Sequence, residues 1–175
     1  MASYNAGKDQ VIDYIMGLYS EGYKKEYMRI LDVGACDGKW AALLRQAGYD
    51  GILDAVEIFT PNVIKILTLY DNVFAGDIFD YRYAKRTYDV AIFGDVIEHM
   101  EILDAQFVLG YAQDSCGEVI VGVPYLYHQD AIYGNEWERH IQDDLTHELF
   151  MERYPGFERF VHPQTDYGYY RKARK

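Results

Sequence analysis

Residues 30–40 read ILDVGACDGKW, and the reading of this stretch decides the fold. A short apolar run carries Asp32 near its end and passes into a glycine loop, Gly34-Ala35-Cys36-Asp37-Gly38. Residues 39–47 then place apolar side chains at helical spacing, and Gly48 stops them. Strand, loop and helix in that order open an α/β sheet, in which ligands bind beyond the carboxyl ends of the strands. Glycines in such a loop let backbone N–H groups approach a ligand closely. The dinucleotide fingerprint needs GxGxxG, and Gly34 with Gly38 does not supply it, which disfavours a nicotinamide enzyme. Asp32 and Asp37 make the loop acidic, which suits a cationic ligand better than a pyrophosphate.

Outward from this loop the same rhythm continues. Residues 11–19 read as a leading helix, within an N-terminal helical lid spanning 1–27. Strands are expected at 52–58, 73–75, 88–93 and 118–123, with helices at 60–70, 102–112 and 143–154. Thr60 with Pro61 reads as the cap and first turn of the 60–70 helix. The alternation requires parallel strands joined by helical crossovers, with both faces covered. Residues 157–161 and 167–171 are joined too briefly for a helix and are expected to pair as an antiparallel hairpin.

Acids recur where successive strands end. Glu57 closes the second strand, a place where acids take ribose hydroxyls. Gly76-Asp77-Ile78 follows the third; there an Asp accepts from an adenine amino group while Ile78 packs on the ring. Three acids ending three successive strands carry more weight than one glycine loop.

The chain resembles the class I S-adenosylmethionine-dependent methyltransferase superfamily, through ILDVGACDGKW, DAVEIF, AGDIFDY, YDVAIFGDVIEHM and EVIVGVP. The resemblance implies one Rossmann-like α/β domain over 1–175, with sheet order 3-2-1-4-5-7-6, strand 7 antiparallel and helices on both faces. It further implies that Asp32 orders the loop near the methionine amine of the cofactor. Gly34, Ala35, Cys36 and Gly38 border the methionyl moiety; Glu57 holds the ribose and Ile58 packs near the adenine; Asp77 and Ile78 bracket the adenine; Gly94 and Asp95 lie where the fourth strand reaches the cofactor. Cys36 stands where the usual E/DxGxGxG motif has its middle glycine.

For the methyl acceptor, His99 and His140 are the candidate bases, since imidazole titrates near neutral pH. Both follow strands that are neighbours in the implied order, so both are expected to border one cleft. Tyr125, Tyr127 and His128 follow VGVP, where substrate contacts are expected, and Tyr4, Tyr14, Tyr19, Tyr133 and Trp137 are candidates for an aromatic lid. Asp95, Glu98, His99 and His140 offer mixed N and O ligands suited to a divalent ion. That run resembles the carboxylate–histidine cluster of some 2′-O- and quinone-pathway methyltransferases. An EH pair here is nevertheless common without metal, and none is expected.

Composition sets the limits. The chain has 175 residues, half of them hydrophobic, enough for one packed core. Its formal net charge of −11 opposes nucleic acid as a partner. The cationic run Arg171, Lys172, Arg174 and Lys175 reads as a solvated tail. Two cysteines without a CxxC pair form neither a disulfide framework nor a zinc site. No 18-residue apolar stretch and no apolar signal core occur, so no membrane association and a cytoplasmic location are expected. The expectation is an SN2 O- or N-methyl transfer to a small molecule. The alternative is a cofactor-binding module with little activity of its own, or one needing a partner chain; a homodimer is compatible with either.

Overall fold

A computed structural model describes residues 7–21, 28–81, 88–132, 134–161 and 166–174. Strands β1 (Arg29–Val33), β2 (Ile52–Glu57), β3 (Asn72–Ala75), β4 (Tyr88–Gly94), β5 (Cys116–Pro124), β6 (Glu158–Arg159) and β7 (Tyr167–Ala173) form one sheet in the order β3-β2-β1-β4-β5-β7-β6. The pairings from β3 through β5 are parallel, and β7 runs antiparallel to both β5 and β6. This is the expected order, with strand 7 reversed.

The two-residue side-chain period of a strand explains how one sheet sustains two cores. Ile30, Val90 and Ile92 face one layer, packed with Ile15 of α1 (Lys8–Glu21) and with Trp40 and Leu44 of α2 (Lys39–Gln46). Leu31, Ala91 and Phe93 face the other, against Val108 and Leu109 of α5 (Ile102–Ser115) and Phe150 of α6 (His147–Arg153). The strands are therefore nearly continuous apolar runs, and the polar chemistry is confined to their ends.

Several boundaries differ from the sequence reading. Helix α3 covers Thr60–Ile66, with Phe59 rather than Thr60 as its cap residue. The chain then turns so that Tyr70 is buried while Leu67 is exposed. Helix α6 begins only at His147, because the Thr146 side chain accepts from Leu149 N at 3.2 Å and sets the start there. One-turn α4 (Ile78–Tyr81) and two 3₁₀ turns, Ile97–His99 and Glu136–Glu138, had no counterpart in the sequence reading. Among the described residues no helix is long and apolar enough to cross a membrane.

Candidate functional site

A cleft of about 570 Å³ opens beyond the carboxyl ends of β1, β2, β4 and β5. The glycine loop forms one wall. Gly34 has φ 68°, and a Cβ there would lie 2.7 Å from Val96 Cγ2, so only glycine fits without displacement. Cys36 also adopts a left-handed backbone, φ 49°, the conformation that a glycine would supply without strain. The loop is held by Glu57: Cys36 N donates to Oε2 at 2.8 Å and Phe59 N to Oε1 at 2.8 Å. Each carboxylate oxygen keeps a second lone pair for a ligand hydroxyl. Burial raises the Glu57 pKa.

Ala35, Ile58, Asp77, Ile78, Gly94 and Asp95 also line the cleft, whereas Asp32 and Gly38 do not. Asp32 lies beneath the loop, 1% exposed, accepting from the Tyr70 hydroxyl. Burial pushes its carboxyl up to about 7. Gly38 caps the start of α2. Asp77 Oδ1 accepts from Phe79 N at 3.0 Å, which starts α4. At Gly94 an added Cβ would collide with Trp40 Nε1, so the missing side chain lets the indole close the cleft floor. Asp95 turns back with φ 59°; its Oδ1 accepts from the Tyr167 hydroxyl at 2.7 Å, and its Oδ2 lies 3.7 Å from buried Lys8 Nζ. Desolvation lowers the Lys8 pKa.

At the other end the structure brings His99 and His140 together, ring centroids 4.8 Å apart and nearly perpendicular. Backbone contacts make this convergence. Ile141 N and Gln142 N donate to Glu98 O at 2.8 and 2.9 Å, and Gln142 Nε2 donates to Ile97 O and Met100 O at 2.8 and 3.0 Å. The linker after β5 is thus stitched to the turn after β4. His99 Nδ1 lies 3.1 Å from Arg139 O and His140 Nδ1 2.7 Å from Tyr127 O. A carbonyl only accepts, so each Nδ1 carries the proton and each Nε2 is left as an acceptor. Burial lowers both histidine pKa values, which favours the neutral ring. Glu98 beside them is fully buried, and burial raises its pKa well above the ordinary value.

Other expected residues lie elsewhere. His128 is exposed, pairs with Asp143 at 2.8 Å and does not line the cleft. Tyr125 does line it, but its hydroxyl is engaged with that of Tyr170. Tyr19 is buried against Tyr49, and Tyr14 packs on Phe160 and Arg171, so neither belongs to a lid. Trp137 is 58% exposed at the cleft. Tyr4 and Tyr133 lie outside the described residues. Tyr127, expected among the substrate contacts, lines the cleft. The sequence reading missed Trp40, Tyr167 and Lys8. Trp40 and Tyr167 read as ordinary core residues, and Lys8 reaches Asp95 from a helix remote in sequence, so no local signal marked them. Among the described lining residues, nine are Asp or Glu and one is Lys.

No family model matches the chain, and no curated protein matches it. Solved structures do. The carbon methyltransferase of CurJ superposes with TM-score 0.72 at 15% identity, covering 94% of this chain and 53% of that one. The N-terminal domain of EvdMO1, crystallised with SAH and D-fucose, gives TM-score 0.69 at 11% identity, covering 99% and 85%. The bifunctional kinase-methyltransferase WbdD gives TM-score 0.68 at 16% identity, covering 95% of this chain and 39% of that one, so this chain spans about two fifths of WbdD. The strand order, the reversed seventh strand and these superpositions agree: the chain has the class I S-adenosylmethionine-dependent methyltransferase fold.

Proposed function

We propose that the protein is an S-adenosylmethionine-dependent methyltransferase that transfers the methyl group to an oxygen or nitrogen of a small molecule. The observation that carries this reading is the two-ended cleft. Glu57, Asp77 and Ile78 line the cleft where this reading puts the nucleoside, and His99 and His140 line it where the linkers after β4 and β5 meet. The acidic lining favours a sulfonium donor and a neutral or cationic acceptor, and it disfavours phosphate-rich partners such as nucleic acid.

In the reaction the acceptor hydroxyl or ammonium loses its proton at the end of the cleft where His99 and His140 meet. Its lone pair then forms the bond to the methyl carbon. The carbon–sulfur bond breaks with its electron pair kept on sulfur, leaving SAH. Most of the acceleration comes from aligning acceptor, carbon and sulfur, and the base adds to it.

The test is a methyl-acceptor screen that reads SAH formation. With an acceptor identified, His140→Ala is expected to lower turnover by about 10²–10⁴-fold while leaving cofactor affinity nearly unchanged. Equal loss of cofactor binding would make His140 structural. Cofactor binding with no turnover across the panel would favour a binding module that works with a partner chain.

A further inference from the structure

The geometry points to a divalent metal site formed by Glu98, His99 and His140, of the two-histidine, one-carboxylate type, open toward the acceptor end of the cleft. One ligand atom from each of these residues lies within 4.8 Å of the others. Glu98 is 0% exposed, and neither Oε has a hydrogen-bond partner among the described residues. A buried carboxylate without partners is costly, and a cation at its oxygens removes that cost. Glu98, His99 and His140 are all lining residues of the cleft.

The histidines carry the second, independent observation. Each uses Nδ1 to donate to a backbone carbonyl, Arg139 O for His99 and Tyr127 O for His140. That outer contact fixes tautomer and ring orientation and leaves the proton off Nε2, as in metal-ligating histidines. Tetrahedral ligands at about 2.1 Å from an ion stand roughly 3.4 Å apart, so closure draws donors now within 4.8 Å together by at most about 1.4 Å. Asp95 is not part of the set, because its carboxylate is engaged by Tyr167 and Lys8.

Two imidazoles and one carboxylate select a late first-row divalent ion over magnesium or calcium, which prefer oxygen ligands. Three protein ligands would leave positions open for other ligands, and all three residues line the same cleft. The role toward the acceptor rests on the reading given under Proposed function: a bound ion would use both Nε2 atoms, and activation of an acceptor oxygen would fall to the ion rather than to a free base. The site itself does not depend on that reading.

The experiment titrates Co²⁺ into untagged protein stripped with chelator, without cofactor. Visible d–d absorption reports the ion's ligands and stoichiometry. One Co²⁺ per chain is expected, displaced by Zn²⁺ and not by an equal concentration of Mg²⁺. Glu98→Gln and His140→Ala are each expected to weaken binding by at least about 100-fold, since even losing an outer-shell partner costs about 10–100-fold. Circular dichroism and melting of the metal-free variants establish folding; Glu98→Gln removes only the charge and carries the test if His140→Ala does not fold. Absence of one-to-one binding, displacement by Mg²⁺, or equal affinity in Glu98→Gln would overturn the site. S-adenosylmethionine affinity, measured separately on metal-free protein, distinguishes failure of the metal site from failure of the methyltransferase reading.

Discussion

Two buried carboxyls, Asp32 and Glu57, show what a residue's surroundings add to its type. Both read as ligand-binding acids in the sequence. Glu57 keeps both oxygens on backbone N–H groups at the rim of the cleft, while Asp32 is turned under the loop onto Tyr70. Glu57→Ala is expected to weaken S-adenosylmethionine binding by about 1–3 kcal/mol, the scale of hydrogen bonds to a charged group. Calorimetry that returned an unchanged affinity would remove Glu57 from the ribose role. For Asp32, burial raises the folded-state carboxyl from 3.8 to about 7, so the folded protein holds a proton that the unfolded chain releases at lower pH. Its contribution to stability is therefore complete below about pH 4 and is lost as pH rises through 7. Asn at this position keeps an oxygen for Tyr70 and has no such loss. Wild type is thus expected to fall relative to Asp32→Asn by up to about 4 kcal/mol between pH 4 and pH 8 in denaturant titrations without cofactor. A pH-independent difference would contradict the buried-acid account. Cys36 was legible as a departure from the family's glycine; its left-handed φ of 49° was not, because dihedrals are set by the loop's closure on Val56 and Glu57.

At the level of elements, the strands that are apolar on both faces were the most legible, since burial on two sides leaves no other pattern. The elements that escaped or shifted are short or side-chain capped. Helix α4 is a single turn started by Asp77 accepting from Phe79 N, and α6 starts where Thr146 accepts from Leu149 N. Apolar spacing alone does not resolve such features. The element that brings the candidate site together is the Gln142 crosslink between the turn after β4 and the linker after β5. Its Nε2 serves Ile97 O and Met100 O, and its Oε1 accepts from the Tyr154 hydroxyl at 2.8 Å. Gln142→Ala removes these three hydrogen bonds, leaving Ile97 O with Met100 N alone, and is expected to cost about 1–3 kcal/mol of stability, read by urea unfolding. It should also weaken whatever depends on the His99–His140 approach. Full stability in that variant would mean the two linkers are held by backbone contacts alone.

Across the whole molecule, the sheet order sends the linkers after β4 and β5 out at neighbouring positions, and the glycine loop after β1 opens beside them. The convergence of the two histidines was therefore readable from topology before any coordinate. The exclusion of His128 was not, because its position after β5 does not say which way the ring turns; the ring is exposed and contacts Asp143. Nor was the contribution of Lys8, which comes from α1, the element farthest in sequence from the residues it meets. The central claim is that this cleft takes a sulfonium nucleoside. The direct measurement is calorimetric titration of the purified chain with S-adenosylmethionine and, separately, with NAD. Saturable one-to-one binding of S-adenosylmethionine and no response to NAD is the predicted result. Heat with NAD and none with S-adenosylmethionine would contradict it.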